Sequence, residues 1–422
     1  MRVSDYSFDI SREPLIRPFE FKGGKFSEKW LIHTVMRSAS GKTAAEIGGT
    51  AILWSDPGVF AAHSETGGNL LMAAMAEKAL TICKDREYAS PIDALLDVIG
   101  PLHEYGKQIT ANPELRKTFT LNSLVSFDLA LWKLYSKEEG IQSFDDLLTE
   151  DLKPAFSERQ RCLSCIPLIT YNVPLGEVRD LAEQGHFFLK IKIGQSGSQQ
   201  EMLEKDTRRL VEVFEATGEL ETPYSDCGKS VYYLDANGRY ESAETLLSLL
   251  GAADRIGMLD RIKILEEPFP EELKLDVSDF PVRVAADESL HGIDDVNERI
   301  DLGYGAMALK PAGKTLSLSL LMGDAAFRRN VPCYVADSAC VPALVEWNKN
   351  VAARLGNLPG LKVGAFESNG SQFYSHWRQL IENHPCSGAE WLEAHRGMFD
   401  LDDDYYKMSG GIFMEGAHTS SE

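Results

Sequence analysis

Eight short apolar runs, separated by helical stretches, fill the chain between residues 162 and 366. Helical periodicity covers 175–185, 198–216, 241–254, 291–302, 314–329 and 342–356, and only the gap between the fourth and fifth runs is too short for more than a helical turn. Runs that are apolar throughout are typical of parallel strands, because helices cover both faces of a parallel sheet. Eight such units favour a closed barrel over an open sheet. The runs are 162–172, 187–194, 231–238, 262–269, 282–289, 306–312, 331–339 and 361–366.

The residues before these runs have a different pattern, which predicts an α+β domain. Strand-like segments at 15–21, 29–37 and 44–54, with a turn at 38–41, indicate an antiparallel sheet. Helical periodicity follows at 67–83, 91–108 and 114–139, the last of these starting near Asn112 and Pro113. We therefore expect a domain at 1–160 and a barrel at 161–374. The remaining segment, 375–422, is expected to pack back on the first domain.

Composition limits the classes of partner. The 422 residues include 43 Lys and Arg against 64 Asp and Glu, a net charge of −21, which disfavours nucleic acid as a partner. The N-terminus has no signal-peptide pattern, and no stretch approaches the 18 apolar residues that a membrane span needs. Seven cysteines, an odd number in a long chain, do not form a disulfide framework. We expect a cytoplasmic protein that binds no membrane.

Five successive strands, from the second to the sixth, end in ionisable residues that a buried strand would not otherwise carry. In the second strand Lys190 and Lys192 share one face, because side chains alternate along a strand. The carboxyl ends of barrel strands converge on one site, so these groups are expected to meet. The strand ends carry Lys190, Lys192, Asp235, Asn237, Glu266, Glu267, Asp287, Glu288 and Lys310.

The carboxylates of this set suit a magnesium ion. Asp235, Glu266 and Asp287 offer hard oxygen ligands, and neither histidine nor cysteine joins them, which disfavours zinc. Three buried carboxylates with lysines on each side would be costly without a partner cation. For Asn237, Glu267 and Glu288, capping of the following helix remains an equal alternative.

The lysines suit proton transfer. Lys192 and Lys310 come from the second and sixth strands, and we expect them to face each other across a bound substrate. A base that works near neutral pH needs a lysine pKa below about 10.4. Lys190 and the cation would supply positive charge that lowers it. A metal-bound carboxylate substrate could then lose its α-proton to give an enediolate.

The ordered motifs K-x-K, D-x-N, E-E-P, D-E-S and L-K-P resemble those of the enolase superfamily, in its muconate lactonizing enzyme-like branch. The resemblance covers nearly the whole chain and implies a modified TIM barrel behind an N-terminal α+β capping domain. It implies Lys192 as the base, Lys190 as its auxiliary and Lys310 as the second base. By the same resemblance, the Mg²⁺ ligands are Asp235, Glu266 and Asp287.

Two opposed lysines are what racemisation or epimerisation of a small acid needs, such as a dipeptide or an N-acyl amino acid. Similar dipeptide epimerases bind the substrate ammonium with Asp-x-Asp at the eighth strand, where this chain has Glu367 and Asn369. These two residues, with Asn237 and Glu288, are candidate substrate contacts. The resemblance also implies a small carboxylate substrate and a homo-oligomer.

Other reactions use the same scaffold. The o-succinylbenzoate synthases share the lysines and ligands for a dehydration, and muconate cycloisomerisation is a further alternative. A non-catalytic member is disfavoured because all the catalytic positions are intact. Acid-sugar dehydratases rely on a barrel histidine, which the seventh strand end, Ala336 to Cys340, does not contain. Capping loops at 17–26 and 54–68 are expected to set specificity, with mobility from glycines such as Gly23 and Gly67.

Overall fold

The first 156 residues, called the cap below, form an antiparallel sheet covered by helices. The structure is a computed structural model that describes residues 1–21 and 24–414. Gly23, one of the predicted loop glycines, lies outside the described residues. The sheet has the order of the chain, and Phe8 pairs with Thr34 and Thr34 with Glu46. Its strands are Val3–Phe21, Gly24–Ser38 and Thr43–Gly49.

Two of the cap helices begin after a serine whose side chain accepts a backbone hydrogen bond. Ser64 accepts from Gly67 N, and Ser90 accepts from Asp93 N ahead of Pro91 at the first helical position. On the sheet side, the Thr34 hydroxyl donates to Ser126 Oγ at 2.9 Å, which joins the central strand to a helix. The helices are Ile52–Ser55, Pro57–Ala62, Glu65–Cys83, Pro91–Thr110, Lys117–Ser123, Val125–Glu139, Phe144–Leu147 and the 3₁₀ turn Lys153–Phe156.

Several predicted boundaries in the cap are wrong, among them the start of the first strand, which was expected at residue 15 and lies at Val3. The third strand ends at Gly49 rather than at residue 54, and the segment predicted as a loop at 54–68 is mostly helical. The helix predicted over 114–139 is two helices, Lys117–Ser123 and Val125–Glu139. Asn112 makes a turn instead of a helix cap, because its side chain accepts from Glu114 N at 3.0 Å.

A barrel of parallel strands follows the cap, as predicted. Helices run between most strands, and among the described residues none lies between the fourth and fifth. Barrel strands 1 to 8 are, in chain order, Cys162–Ile166 with Leu168–Ile169, Phe188–Lys192, Val231–Asp235, Ile262–Glu266, Val284–Ala286, Ala306–Leu309, Cys333–Val335 and Gly364–Glu367. The barrel helices are Leu175–Glu183, Gln199–Thr217, Ala243–Arg255, Ile293–Asp301, Pro311–Lys314, Leu316–Arg328, Pro342–Ala352, Gly370–Phe373 and Trp377–Glu382.

Barrel strand 1 closes the ring by pairing with different neighbours along its length. Its first part, Cys162–Ile166, pairs with barrel strand 8, and its second part, Leu168–Ile169, pairs with barrel strand 2. A late strand, Met398–Asp400, lies antiparallel to the free side of the first part. The short helix Asp403–Met408 follows it. The C-terminal segment therefore completes the sheet of the barrel.

The C-terminal segment also contacts the cap. Lys133 of the cap donates to Met414 O at 2.9 Å, and His376 Nε2 lies 2.6 Å from Glu13 Oε2. The division of the chain at residues 160 and 374 stays a prediction. None of the helices in the described part of the chain is long and apolar enough to span a membrane.

Candidate active site

The charged strand ends predicted from the sequence point into the barrel. Lys192 of barrel strand 2 is in register with Asp235 of barrel strand 3, which is in register with Glu266 of barrel strand 4. Residues in register on parallel strands present their side chains on the same face. Leu189 and Ile191 belong instead to the apolar layer that includes residues of the surrounding helices. The alternation predicted for barrel strand 2 is thus confirmed.

Lys190 joins carboxylates from three strands. Its Nζ lies 2.9 Å from Asp235 Oδ2, 3.1 Å from Glu266 Oε1 and 2.9 Å from Glu367 Oε2. Burial lowers the pKa of Lys190, but the charges of these carboxylates outweigh burial and raise it well above its usual value. Lys190 is therefore held as a cation, which suits an auxiliary charge better than a base.

Lys192 reaches the same carboxylate from the next position on its face. Its Nζ lies 2.6 Å from Asp235 Oδ2 and 2.5 Å from Asn237 Oδ1. The Asn237 amide in turn donates to Glu288 Oε1 at 2.8 Å. Asn237 has a positive φ of 46°, a conformation that asparagine tolerates better than most residues. A hydrogen-bonded chain thus links the candidate base to Glu288.

Lys310 approaches from the opposite side of the barrel. Its Nζ lies 2.5 Å from Asp287 Oδ2 and 4.3 Å from the centre of the Trp54 ring, which comes from the cap. Burial lowers its pKa, but Asp287 and Glu266 outweigh burial, and the net direction is upward. This is the reverse of the lowering that we expected of a lysine base, because the neighbouring carboxylates dominate.

Three buried carboxylates form a cluster that fits a divalent cation. Oxygen atoms of Glu266, Asp287 and Glu288 lie within 4.8 Å of one another, and each side chain is at most 1% exposed. Such like charges repel strongly in a buried site unless a cation is shared, and all-oxygen donors favour Mg²⁺ over zinc. Two of the three predicted ligands, Glu266 and Asp287, are in this cluster. Asp235 lies against the two lysines instead, so the full ligand set stays a prediction.

Glu267, the second acid of the E-E-P motif, supports this cluster. Its Oε2 accepts hydrogen bonds from Asp287 N at 2.7 Å and from the Ser289 hydroxyl at 3.0 Å. Burial, with a further contribution from Glu288, raises the pKa of Glu267 to about 8. Glu267 therefore fixes the end of barrel strand 5, from which Asp287 extends.

The two predicted substrate-binding residues at barrel strand 8, Glu367 and Asn369, make hydrogen bonds within the protein. Glu367 Oε2 accepts from Lys190 and, at 3.0 Å, from Asp337 N, while its Oε1 accepts from the Asn369 amide at 3.0 Å. Asn369 Oδ1 accepts from Ala339 N at 3.1 Å. Both residues line the site, but their polar atoms already hold barrel strands 7 and 8 together.

A cavity lies between the cap and the carboxyl ends of the barrel strands. It is lined by Lys190, Lys192 and Lys310. Each of the two predicted specificity segments contributes to it, Phe19 and Phe26 from the first and Trp54 from the second. The rings of Phe19 and Phe26 stack with centroids 5.2 Å apart. The cavity thus joins the candidate lysines to an aromatic wall supplied by the cap.

Sequence reasoning missed several polar groups of the site. Tyr233 donates to Glu266 Oε2, and the Tyr334 hydroxyl donates to the same atom at 2.6 Å. Strand alternation contained the signal, since Tyr233 lies on the same face as Asp235. Lys314 is fully buried and donates to the carbonyls of Asp287 and Leu290. Lys29 of the cap also lines the cavity, and its position in the sequence gave no signal.

Comparisons with known proteins agree on the fold. No family model matches the sequence, and no curated protein matches it. A mandelate racemase/muconate lactonizing protein from Herpetosiphon aurantiacus is 15% identical with a TM-score of 0.66, over 95% of this chain and 96% of that chain. A dipeptide epimerase from Enterococcus faecalis V583, complexed with Mg and the dipeptide L-Leu-L-Tyr, is 16% identical with a TM-score of 0.66, over 95% and 98%.

A third similar solved structure is that of an enzyme named for a different substrate. The N-succinyl Arg/Lys racemase from Bacillus cereus ATCC 14579 is 13% identical with a TM-score of 0.63, over 89% of each chain. Full-length similarity at such low identity establishes architecture rather than reaction. The chain therefore has the fold of the mandelate racemase and muconate lactonizing enzymes, the branch of the enolase superfamily that its strand-end motifs resemble.

Proposed function

We propose that this protein is a Mg²⁺-dependent isomerase that epimerises or racemises a small acid at the carbon next to its carboxylate. The observation that carries the proposal is that Lys192 and Lys310 line one cavity from barrel strands 2 and 6, beside the carboxylate cluster. Strands four positions apart in a ring of eight lie on opposite sides of it. Solved structures with the same fold include dipeptide epimerases and a racemase, which supports this reaction class.

The two lysines have complementary tasks in such a reaction. One of them, uncharged, accepts the α-proton from one face, and the other, as an ammonium, donates a proton to the opposite face. In the reverse direction the roles exchange. Lys190 stays charged and adds to the positive potential at the substrate carboxylate. When bound at the carboxylate cluster, Mg²⁺ would supply charge that stabilises the developing anion and offsets the carboxylates that raise the Lys310 pKa.

Deuterium exchange tests the proposal directly. The full chain is incubated with Mg²⁺ in D₂O, with both enantiomers of dipeptides and N-acyl amino acids, and α-deuterium is followed by proton NMR. We expect exchange with inversion. Absence of exchange with every acid, or net dehydration of a succinylbenzoate precursor, would contradict the proposed reaction.

Single lysine variants separate the two faces. Lys192→Ala is expected to lower the rate of α-proton exchange from one substrate enantiomer, and Lys310→Ala that from the other. Each loss should be at least about a hundredfold, since a general base contributes roughly 10²–10⁴-fold. Lys153→Ala, at an exposed lysine of the cap, is the control and should leave both exchange rates intact. Equal losses for both enantiomers in both variants would argue against opposed bases.

A further inference from the structure

A second pocket, called the acidic pocket below, lies between the cap and the loops that follow barrel strands 3 to 5. Its lining includes Glu288, a member of the carboxylate cluster. Within the described part of the chain, none of the three cluster residues lines the cavity that holds Lys192 and Lys310, called the lysine cavity below. The carboxylate cluster is therefore reached from the acidic pocket more directly than from the lysine cavity.

Asn237 separates the two spaces, since it lines both of them. Its Oδ1 lies 2.5 Å from Lys192 Nζ, and its amide donates to Glu288 Oε1 at 2.8 Å. Both ends of the side-chain amide are thus bonded. Asn237 forms a wall between a lysine on the side of the lysine cavity and a carboxylate on the side of the acidic pocket.

The two spaces have linings of opposite charge. Four lysines line the lysine cavity against three carboxylates, and one of these lysines, Lys29 of the cap, donates to Ser338 O at 2.7 Å. Four carboxylates line the acidic pocket against two arginines. A cleft lined by one sign of charge concentrates ions of the opposite sign. The acidic pocket therefore attracts cations, and the lysine cavity attracts anions. The charged residues of the acidic pocket are Glu267, Glu271, Glu272, Glu288, Arg116 and Arg239.

An ion pair joins the cap to the barrel at the acidic pocket. Arg116 Nε lies 3.0 Å from Glu271 Oε1, and a terminal nitrogen of the same guanidinium lies 2.6 Å from Glu271 Oε2. This pair takes up one carboxylate and one arginine of the lining. The other three carboxylates face a single further arginine, so the lining stays acidic.

The remaining carboxylates extend from the surface to the interior. Glu272 is exposed, whereas Glu267 is 1% exposed. Oε2 of Glu267 accepts from Asp287 N, but among residues 1–21 and 24–414 its buried Oε1 has no hydrogen-bond donor. Buried polar atoms are almost always satisfied in folded proteins, so this oxygen beside a pocket indicates a cation or its water shell as the partner.

The acidic pocket also has more room than the lysine cavity. Its volume is about 230 Å³, against about 50 Å³ for the lysine cavity. Mg²⁺ loses its water shell reluctantly and usually keeps several waters in proteins. A hydrated cation therefore fits the acidic pocket better.

From these observations we infer that the acidic pocket is the entrance and exit for the divalent cation of the carboxylate cluster, whereas the substrate binds in the lysine cavity. Glu272 attracts the ion at the exposed end, and Glu267 offers it an oxygen on the way to Glu288. The cation can then exchange while the lysine cavity is occupied, so metal and substrate bind in either order. The inference rests on the metal site of the proposed function and adds a path to it.

Mn²⁺ loading of the metal-free full chain, without substrate, tests this path. Stopped-flow mixing at low ionic strength follows the quenching of tryptophan fluorescence by the paramagnetic ion. Glu272→Lys should slow association and dissociation alike, each at least about threefold, and the effect should shrink as NaCl is added. The equilibrium affinity should change little, because the substitution lies at the exposed end of the path. Glu215→Lys, on an exposed face of a barrel helix, changes the net charge equally and should leave both rates unchanged.

Two further variants distinguish the two spaces. Arg239→Gln removes a positive charge from the acidic pocket and should raise the association rate at least about twofold. Ala51→Phe fills part of the lysine cavity and should leave Mn²⁺ association unchanged. Melting temperatures show whether each variant is folded.

The outcomes separate this inference from the proposed reaction. Mn²⁺ association that is insensitive to Glu272→Lys and Arg239→Gln, or that is slowed by Ala51→Phe, would overturn the inference and leave the reaction intact. The expected metal kinetics without α-deuterium exchange from any acid would overturn the reaction and leave the inference intact. A chain that takes up no Mn²⁺ would overturn the inference whatever its activity.

Discussion

Glu266 is the residue at which the polar contacts of the site converge. Lys190 contacts its Oε1, while the hydroxyls of Tyr233 and Tyr334 donate to its Oε2. These contacts fix the orientation of a carboxylate that belongs to the carboxylate cluster and that the resemblance implies as a Mg²⁺ ligand. Groups that orient a ligand typically change metal affinity 10–100-fold.

We therefore expect Glu266→Gln to weaken Mg²⁺ binding at least about tenfold, since it removes a charge from the cluster and disturbs three donors at once. Isothermal titration with MgCl₂ measures this without any substrate. Glu272→Gln, at an exposed position on the loop after the same strand, is the matched control. A Glu266→Gln protein that is folded and binds Mg²⁺ as tightly as the wild type would remove Glu266 from the ligand set.

The individual residues of the site differ in how far the sequence predicted them. Lys190, Lys192 and Asp235 could be placed because a two-residue alternation at a strand end determines which side chains face the barrel interior. Lys29 could not be placed, since its approach to barrel strand 7 depends on how the cap sheet lies over the barrel. Neither hydrophobic pattern nor motif encodes that position.

At the level of elements, a helix of the cap is joined to a helix of the barrel through one buried carboxylate. Asp128, on Val125–Glu139, accepts from the Ser317 hydroxyl at 2.5 Å and from Ser317 N at 3.0 Å. Ser317 lies in the first turn of Leu316–Arg328, where a negative charge is favourable. Burial nevertheless raises the pKa of Asp128 to about 7, against the lowering by these hydrogen bonds.

This shift predicts a pH dependence of stability. Asp128 binds its proton more tightly in the folded chain than in the unfolded chain, where its pKa is near 3.9. The stability that the protonated Asp128 contributes to the folded chain is fully present below about pH 4 and is lost as the pH rises towards about 7. Asp128→Asn removes the titration. The free energy of unfolding of the variant, relative to that of the wild type, should therefore rise by about 1–3 kcal/mol between pH 4.5 and pH 7.5.

Urea unfolding of both proteins at several pH values measures the effect. Asp254→Asn, at an exposed position of a barrel helix, is the control and should keep a constant difference from the wild type. A difference between Asp128→Asn and the wild type that does not change with pH would contradict the prediction.

Short helices of the cap show where element prediction failed. We predicted a loop over 54–68, yet Asp56 accepts from Val59 N at 3.0 Å and Pro57 follows at the first helical position. Both are signals for a helix start. Apolar periodicity could not confirm a helix of six residues, because a single turn and a half does not establish a period.

At the level of the whole molecule, the C-terminal segment joins the barrel to the cap. Met398–Asp400 covers the free side of barrel strand 1, and the Ser409 hydroxyl accepts from Phe144 N of the cap at 2.8 Å. Asn350 of a barrel helix donates to Ser409 O at 2.8 Å. Residues 398–414 thus contact the cap and the barrel together.

A chain ending at residue 397 should therefore be much less stable than one ending at residue 414. Exposed strand edges promote association, so we expect a melting temperature lower by at least about 10 °C, or soluble aggregates. Differential scanning fluorimetry and light scattering compare the two proteins. A difference of less than about 3 °C, with both chains monodisperse to the same degree, would show that this segment is dispensable.

The barrel architecture could be predicted from the sequence more completely than any other part of the structure. The order of the eight apolar runs predicts a barrel because parallel strands need a covering helix between them, and the strand-end motifs pointed to the same fold. The pairing of Met398–Asp400 with barrel strand 1 could not be predicted. Three residues carry too little pattern to mark a strand, and their partner lies far away in the sequence.

This pairing has a consequence for how the protein is made. Cys162–Ile166 leaves the ribosome roughly 230 residues before its partner strand, which is on the order of ten to fifty seconds at 5–20 residues per second. For most of that interval the nascent chain carries an apolar strand with both edges open, because barrel strand 8, which pairs with the other edge, is also translated late. Chaperone binding during translation would matter more for this chain than for one whose first strand is paired early.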